Sequence, residues 1–289
     1  MNASPLLLQT GDDQEIAPGV HVVPDRRVNL VPNVGIVVGD DAVLVIDTGM
    51  GPANGRLSLE AARRLGGDRR LFLTLTHFHP EHGFGAQSFA GEATIVYNRA
   101  QAEELAANGR EFIAMFSEFG PEVAELLADV EIVQPHETYE GTLTLDLGNR
   151  TVELREFGGA HTHGDQVVLL PAEGVLFAGD LVENRFFPIV FGDVANAPAW
   201  IETLDRLEEL GADIVVPGHG EVGGPELIQS LRDYLVEVRD AVAARIGEGQ
   251  DVETIAADLG PEIRARYESW DNPEWIDFAI RNFHREATA

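Results

Sequence analysis

The sequence contains no cysteine and no lysine in 289 residues. Without cysteine there is no disulfide, no cysteine nucleophile, no thiolate zinc site and no Cys-held iron–sulfur cluster. Any metal must then be held by His and carboxylates. Without lysine, a Schiff-base lysine and a phosphate-loop lysine are excluded, and all 20 cationic side chains are Arg. Positive charge is scarce: 20 Lys+Arg against 49 Asp+Glu leaves −29. Such an excess repels a phosphate backbone, so a nucleic-acid partner, and with it a nuclease, is not expected. The plain reading of the charge is solubility, including at high salt. No window approaches about 18 uninterrupted apolar residues, so no membrane span is expected. Residues 1–13 lack a basic start and a long apolar stretch, so no signal peptide is read and a cytoplasmic location is expected.

What is present is ordinary for a globular chain. Hydrophobic residues make up 44% and charged residues 24%. At this length the chain can bury a full core without covalent staples. Strand-like runs rich in Val and Ile fall at 20–23, 28–38, 42–46, 71–75 and 94–97, then at 131–134, 142–147, 151–157, 166–170 and 175–178, and again at 214–216. Helical patterns fall at 53–65, 84–90 and 198–210, and at 99–129 with interruptions at Gly109 and Gly120-Pro121. From 225 to 246, Leu227, Leu231, Leu235, Val238 and Val242 repeat at helical spacing, and shorter helices are expected at 252–258, 261–268 and 273–284. Strands interleaved with helices, followed by a helical end, suit mixed sheets covered by helices. Residues 1–222 are expected to form the main domain and 223–289 a helical extension packed on it.

One segment carries chemistry: Thr76-His77-Phe78-His79-Pro80-Glu81-His82-Gly83, directly after the strand at 71–75. Where a strand ends, a sharp turn can aim alternate side chains inward, so His77 and His79 can grip one ion. Glu81 and His82, on the next turn, can face a second. Imidazole and carboxylate both suit zinc. Further candidates each follow a strand: His161 in Gly158-Gly159-Ala160-His161-Thr162-His163-Gly164-Asp165, Asp180 in Phe177-Ala178-Gly179-Asp180, and His219 in Pro217-Gly218-His219-Gly220. Small residues beside each let the backbone approach closely.

In these motifs the chain resembles the metallo-β-lactamase-fold superfamily, whose signature is His-x-His-x-Asp-His followed by a His, an Asp and a final His on later loops. The likeness also takes in Val45-Ile46-Asp47-Thr48-Gly49 and runs from about residue 20 to 222. It implies an α/β fold, an αββα sandwich of two mixed sheets flanked by helices, with metals at one sheet edge. It implies that His77, His79 and His161 bind the first ion, that His82 and His219 bind the second, and that Asp180 bridges them. Asp47 is then a group that orients ligands by hydrogen bonds. Glu81 stands where the family usually has Asp; being one methylene longer, it must bend or shift the ion, and it serves as ligand or as base.

The resemblance implies a zinc-dependent hydrolase, with two Zn2+ per chain, acting on an ester, thioester or similar carbonyl bond in a small molecule. Glu81 and Asp180 are the candidate catalytic carboxylates. One alternative is a mononuclear iron enzyme of the sulfur-dioxygenase type, built on His77, His79 and Asp180 or His161. Another is a catalytically weak metal-binding member. His163 is extra to the pattern and reads as a group near the site or at the surface. Phe186, Phe187 and Phe191 are candidate pocket walls. Phe112, Met115, Phe116 and Phe119 fall at helical spacing, as core or as a lid over the metals. Oligomeric state is not legible.

Overall fold

Residues Ala42–Ile46 are all apolar and all buried. Side chains alternate across a strand, so such a run must be covered on both faces. Ala42, Leu44 and Ile46 enter one core, and Val43 and Val45 enter another. That division organises the computed structural model, which describes residues 4–191 and 194–289.

The first sheet sets seven strands side by side in chain order: β1 (Gln14–Ala17), β2 (Val20–Val23), β3 (Val34–Val38), β4 (Ala42–Ile46), β5 (Arg70–Thr74), β6 (Ala93–Asn98) and β7 (Glu137–Tyr139). Strands β1 to β4 are antiparallel neighbours, and β4 to β7 run parallel. The second sheet has five strands: β8 (Thr142–Asp146), β9 (Thr151–Glu156), β10 (Gln166–Leu170), β11 (Val175–Gly179) and β12 (Ile214–Pro217). Its strands are antiparallel except for the parallel pair β11 and β12. Leu44, Ile46, Val168 and Phe177 are among the side chains that fill the space between the sheets.

Helices cover the outer faces. α1 (Gly51–Gly66), α3 (Arg99–Ser117) and α4 (Pro121–Leu127) share a core with the first sheet, and the single turn α2 (Pro80–Gly83) follows β5. α5 (Ala197–Glu208), α6 (Glu226–Gly247), α7 (Val252–Arg266) and α8 (Ile276–Thr288) share a core with β10 and β11. The fold is therefore the αββα sandwich of two mixed sheets that the sequence led us to expect. The stripe Leu227, Leu231, Leu235, Val238 and Val242 is buried in the same core as α5, so the C-terminal helices have no separate interior. No helix among the described residues is long and apolar enough to cross a membrane.

Several local expectations are corrected. Residues 28–33 form a loop rather than the start of β3; Leu30 has a left-handed backbone conformation there, and so do Arg26 and Arg27 just before it. Residues 131–134 are irregular; Ile132 and Val133 pack on the first sheet's helical layer without strand pairing. Gly109 does not interrupt α3. A Cβ there would come within 3.0 Å of Ile132, so this glycine permits close packing rather than a stop. α7 runs through Pro261 as one helix where two were expected, and the helix expected from residue 273 is a separate turn at Pro273–Trp275 followed by α8. The polar edge strand β1 carried no apolar signal and was not anticipated.

Two glycines test the packing in opposite directions. A Cβ on Gly35 would sit 2.5 Å from the Phe177 ring across the sheet interface. Gly35→Val should cost about 1–3 kcal/mol by overpacking. Gly247, in the last turn of α6, has nothing within 4 Å of its Cβ position and no left-handed backbone. Gly247→Ala should add about 0.5 kcal/mol by helix propensity. Denaturant melts of both variants check the signs.

Candidate metal centre

The site is built where β4, β5, β9, β11 and β12 end. At the end of β4, Asp47 takes a left-handed conformation, φ 64°. Its carboxylate accepts hydrogen bonds from the Thr76 backbone N–H (2.7 Å) and the Thr76 hydroxyl (2.8 Å), and it lies 2.9 Å from His82 Nδ1. One buried side chain thus ties both halves of the histidine motif to the neighbouring strand. Alternation then sorts the motif. Phe78 is fully buried in the outer core against Phe112, while His77 and His79 on either side of it enter the first donor group, His79 with its ring stacked on Phe112. Pro80 opens α2 and presets its first turn, which brings Glu81 and His82 round to the site.

The loop after β9 is clamped from two sides. Asp165 accepts from the N–H groups of His161 (2.7 Å) and Thr162 (2.8 Å). Glu104 on α3 accepts from the N–H groups of His163 (3.4 Å) and Gly164 (3.2 Å). Beyond β11, a Cβ on Gly218 would lie 1.9 Å from Asp180 Oδ1, so only glycine leaves room for that carboxylate. The His219 turn after β12 is braced by the loop that precedes β3. The Asn33 amide donates to the carbonyls of Pro217 (2.9 Å) and Gly220 (2.8 Å). The Asp25 carboxylate accepts from Gly220 N–H (2.7 Å). His219 Nδ1 lies 3.0 Å from the Val31 carbonyl; donating to it leaves Nε2 as the lone-pair nitrogen.

Two groups of donor atoms result, each with its members within 4.8 Å of one another: His77, His79 and His161; and Glu81, His82, Asp180 and His219. Asp180 lies between them. Its carboxylate is 3.1 Å from His82 Nε2, 3.8 Å from His77 Nε2, 3.7 Å from His161 Nε2 and 3.7 Å from His219 Nε2. His77 Nε2 and Glu81 Oε2 are buried and have no hydrogen-bond partner. Buried polar atoms are nearly always satisfied, so orphans that converge on one place mark a missing partner. A set of imidazoles and carboxylates without sulfur fits zinc, and it also fits iron.

Electrostatics agrees. Burial pushes the pKa of His77 and His79 well down, and that of His161 to about 4, so these rings are neutral and ready to ligate. Burial opposes charge on His82, yet the carboxylates of Asp180 and Asp47 override it and hold the pKa well above its ordinary value. Burial works against the Asp180 anion, but His82, His219 and His77 together hold its pKa low. Burial pushes Glu81 up to about 7, with His82 acting against the rise.

All seven motif residues meet, but not every candidate does. His163 is exposed, and its backbone N–H rather than its ring is engaged. Phe186 and Phe191 line a cleft of about 620 Å³ above the donors. Phe187 is corrected: consecutive side chains point apart, and its ring is buried against Tyr234 and Trp270 in the helical core. Phe112, Met115, Phe116 and Phe119 also line the cleft. Sequence reasoning passed over Asp25, Asn33 and Glu104, whose partners are distant in the chain. It also passed over Glu183, which is buried with neither carboxylate oxygen hydrogen-bonded and whose pKa burial and Asp180 push well up. The signal for Glu183 was an acid directly after apolar Leu181 and Val182.

Two outcomes follow. Asp47→Ala removes the partner of His82 and should weaken metal binding about 10–100-fold in a chelator competition, with the fold retained. Burial also raises Glu104 to about 7 from an ordinary 4.5, against its two backbone donors. The folded state therefore holds this proton more tightly, and the group's stability contribution is complete below pH 4.5 and declines as pH rises to about 7. Glu104→Gln abolishes that dependence. Its stability deficit relative to the unaltered chain should shrink between pH 5 and pH 8, on the order of 2 kcal/mol, in parallel urea melts.

Comparison with known proteins agrees with this geometry. The family model described as the metallo-beta-lactamase superfamily matches residues 28–219. A type 2 metallo-beta-lactamase of Bacteroides fragilis is 34% identical over 105 residues, 35% of this chain and 42% of that one. A linear primary-alkylsulfatase of Pseudomonas sp. (strain ATCC 19151) is 24% identical over 242 residues, 72% of this chain and 44% of that one. The chain thus spans less than half the length of either relative. The solved structure of a stereoselective inverting sec-alkylsulfatase from Pseudomonas sp. superposes with a TM-score of 0.70 at 16% identity, over 95% of this chain and 50% of that one. Fold, donor geometry and family match together show that this chain belongs to the metallo-beta-lactamase superfamily.

Proposed function

We propose that the chain is a zinc-dependent hydrolase that cleaves an ester, thioester or similar carbonyl bond in a small molecule. The observation that carries this reading is the pair of adjoining donor groups with Asp180 between them, at the floor of an open cleft. His77, His79 and His161 would hold one ion; Glu81, His82 and His219 would hold a second; Asp180 faces both. Zinc bound there supplies a water that ionises near neutral pH and an electrophile for the carbonyl oxygen.

The chain's own groups do the rest. The carboxylates of Asp180 and Glu81 accept hydrogen bonds from the attacking water and set its direction. Asp47 fixes the His82 ring through Nδ1, and the Val31 carbonyl does the same for His219, so both Nε2 atoms stay aimed at the site. The presence of Glu81 in the second donor group supports a ligand role despite its extra methylene.

Elemental analysis after zinc loading should find about two zinc ions per chain. Chelation should abolish hydrolysis across a panel of esters, thioesters, lactones and β-lactams, and zinc should restore it. Glu81→Asp should release the more weakly held ion at about tenfold lower chelator concentration. Bound iron in place of zinc would favour an oxidoreductase, and a metal-loaded chain inert to the whole panel would overturn the hydrolase.

A further inference from the structure

The cleft over the donors is walled by aromatic side chains from three separate elements. Phe112 and Phe116 come from α3, Phe186 and Phe191 from the segment after β11, and Trp275 and Phe278 from the turn before α8 and the first turn of α8. Its two outermost rings, Phe119 at 56% and Phe191 at 45% exposure, are the large hydrophobic side chains most exposed to solvent among the described residues. Phe119 packs at a tilt against Phe116, and Phe191 edge-on against Phe278, so the apolar surface continues from the rim inward. Isolated exposed apolar groups need no explanation, but two that rim one cleft mark a surface for an apolar ligand.

Charge points the same way. No arginine lines the cleft among the described residues, and the chain has no lysine. Glu111 and Glu274 line it instead. Arg27 lies 4.6 Å from the Phe186 ring centroid, but its guanidinium is bonded to Glu221, Asp271 and the carbonyls of Asn184 and Arg185. A carboxylate, phosphate or sulfate on the part of a ligand held between these walls would find no cation and would face two acids.

We infer that the substrate is an uncharged ester with a long apolar acyl chain, the chain lying between α3 and the start of α8 and the carbonyl at the donor floor. This rests on the hydrolase reading above and names its substrate class. A β-lactam bearing a carboxylate is disfavoured by the same walls.

The test is a series of p-nitrophenyl alkanoates from acetate to dodecanoate, assayed with the zinc-loaded full chain. kcat/KM should rise about fourfold per added methylene until the cleft is full. An ester of equal length ending in a carboxylate should be cut at least about a hundredfold more slowly. Phe119→Ser, at the exposed rim, should lower the dodecanoate rate at least about tenfold more than the acetate rate; Glu111→Arg should narrow the penalty on the carboxylate-ended ester. Without turnover, fluorescence of the neutral probe N-phenyl-1-naphthylamine should report binding that Phe119→Ser weakens. Hydrolysis with no chain-length dependence, preference for the carboxylate-ended ester, or faster cleavage of a primary alkyl sulfate of equal length would overturn the inference and leave a hydrolase. Failure of every ester and of the wider carbonyl panel would overturn the hydrolase itself.

Discussion

Asp180 is a buried carboxylate with four imidazole nitrogens between 3.1 and 3.8 Å away. A buried anion is tolerated only when its surroundings compensate it, and a neutral imidazole does so weakly. Here three of the surrounding histidines are pushed towards neutrality by burial, and only His82 is held towards its charged form. The centre is therefore rich in lone pairs, with His82 alone among these rings held towards a positive charge. A divalent cation resolves that imbalance, because it neutralises the carboxylates and uses the lone pairs together. The rest of the fold serves to keep this unfavourable arrangement from relaxing.

It does so by long-range bracing. Asp47 joins the end of β4 to Thr76 and His82. Asp25 and Asn33 hold the turn that carries His219, and Glu104 and Asp165 hold the loop that carries His161. Gly218 leaves space for the Asp180 carboxylate itself. The segments that carry His77 and His82, His161 and His219 are thus each fixed by a buried polar side chain from another element. Donors held in this way lose little conformational entropy on binding an ion. The C-terminal helices add the remaining side of the cleft, through Trp275 and Phe278, and share one core with the second sheet.

The donors themselves were legible in the sequence because their spacing is local. His77, His79, Glu81 and His82 occupy one strand end and one helical turn, where periodicity and Pro80 dictate direction. The αββα architecture was legible because strands such as Ala42–Ile46 are apolar throughout and must lie between two covered faces. The bracing residues were not legible. Asn33 meets residues 184 and 187 positions away, and no local pattern encodes that. Val-rich 28–38 looked like a strand because apolar content was mistaken for pairing, where residues 29–30 instead turn, with Leu30 in a left-handed conformation. Phe186 and Phe187 could not be told apart by composition, though one lines the cleft and the other fills a core.

X-ray absorption at the zinc edge tests the central claim most directly, because it sees the ions and their neighbours at once. A first coordination sphere of nitrogen and oxygen only, with imidazole scattering, is expected, together with a metal–metal feature at full loading, since Asp180 would face both ions. Imidazole scattering with no metal–metal feature at full loading would contradict it, because Asp180 would then serve a single ion and the second donor group would be empty chemistry.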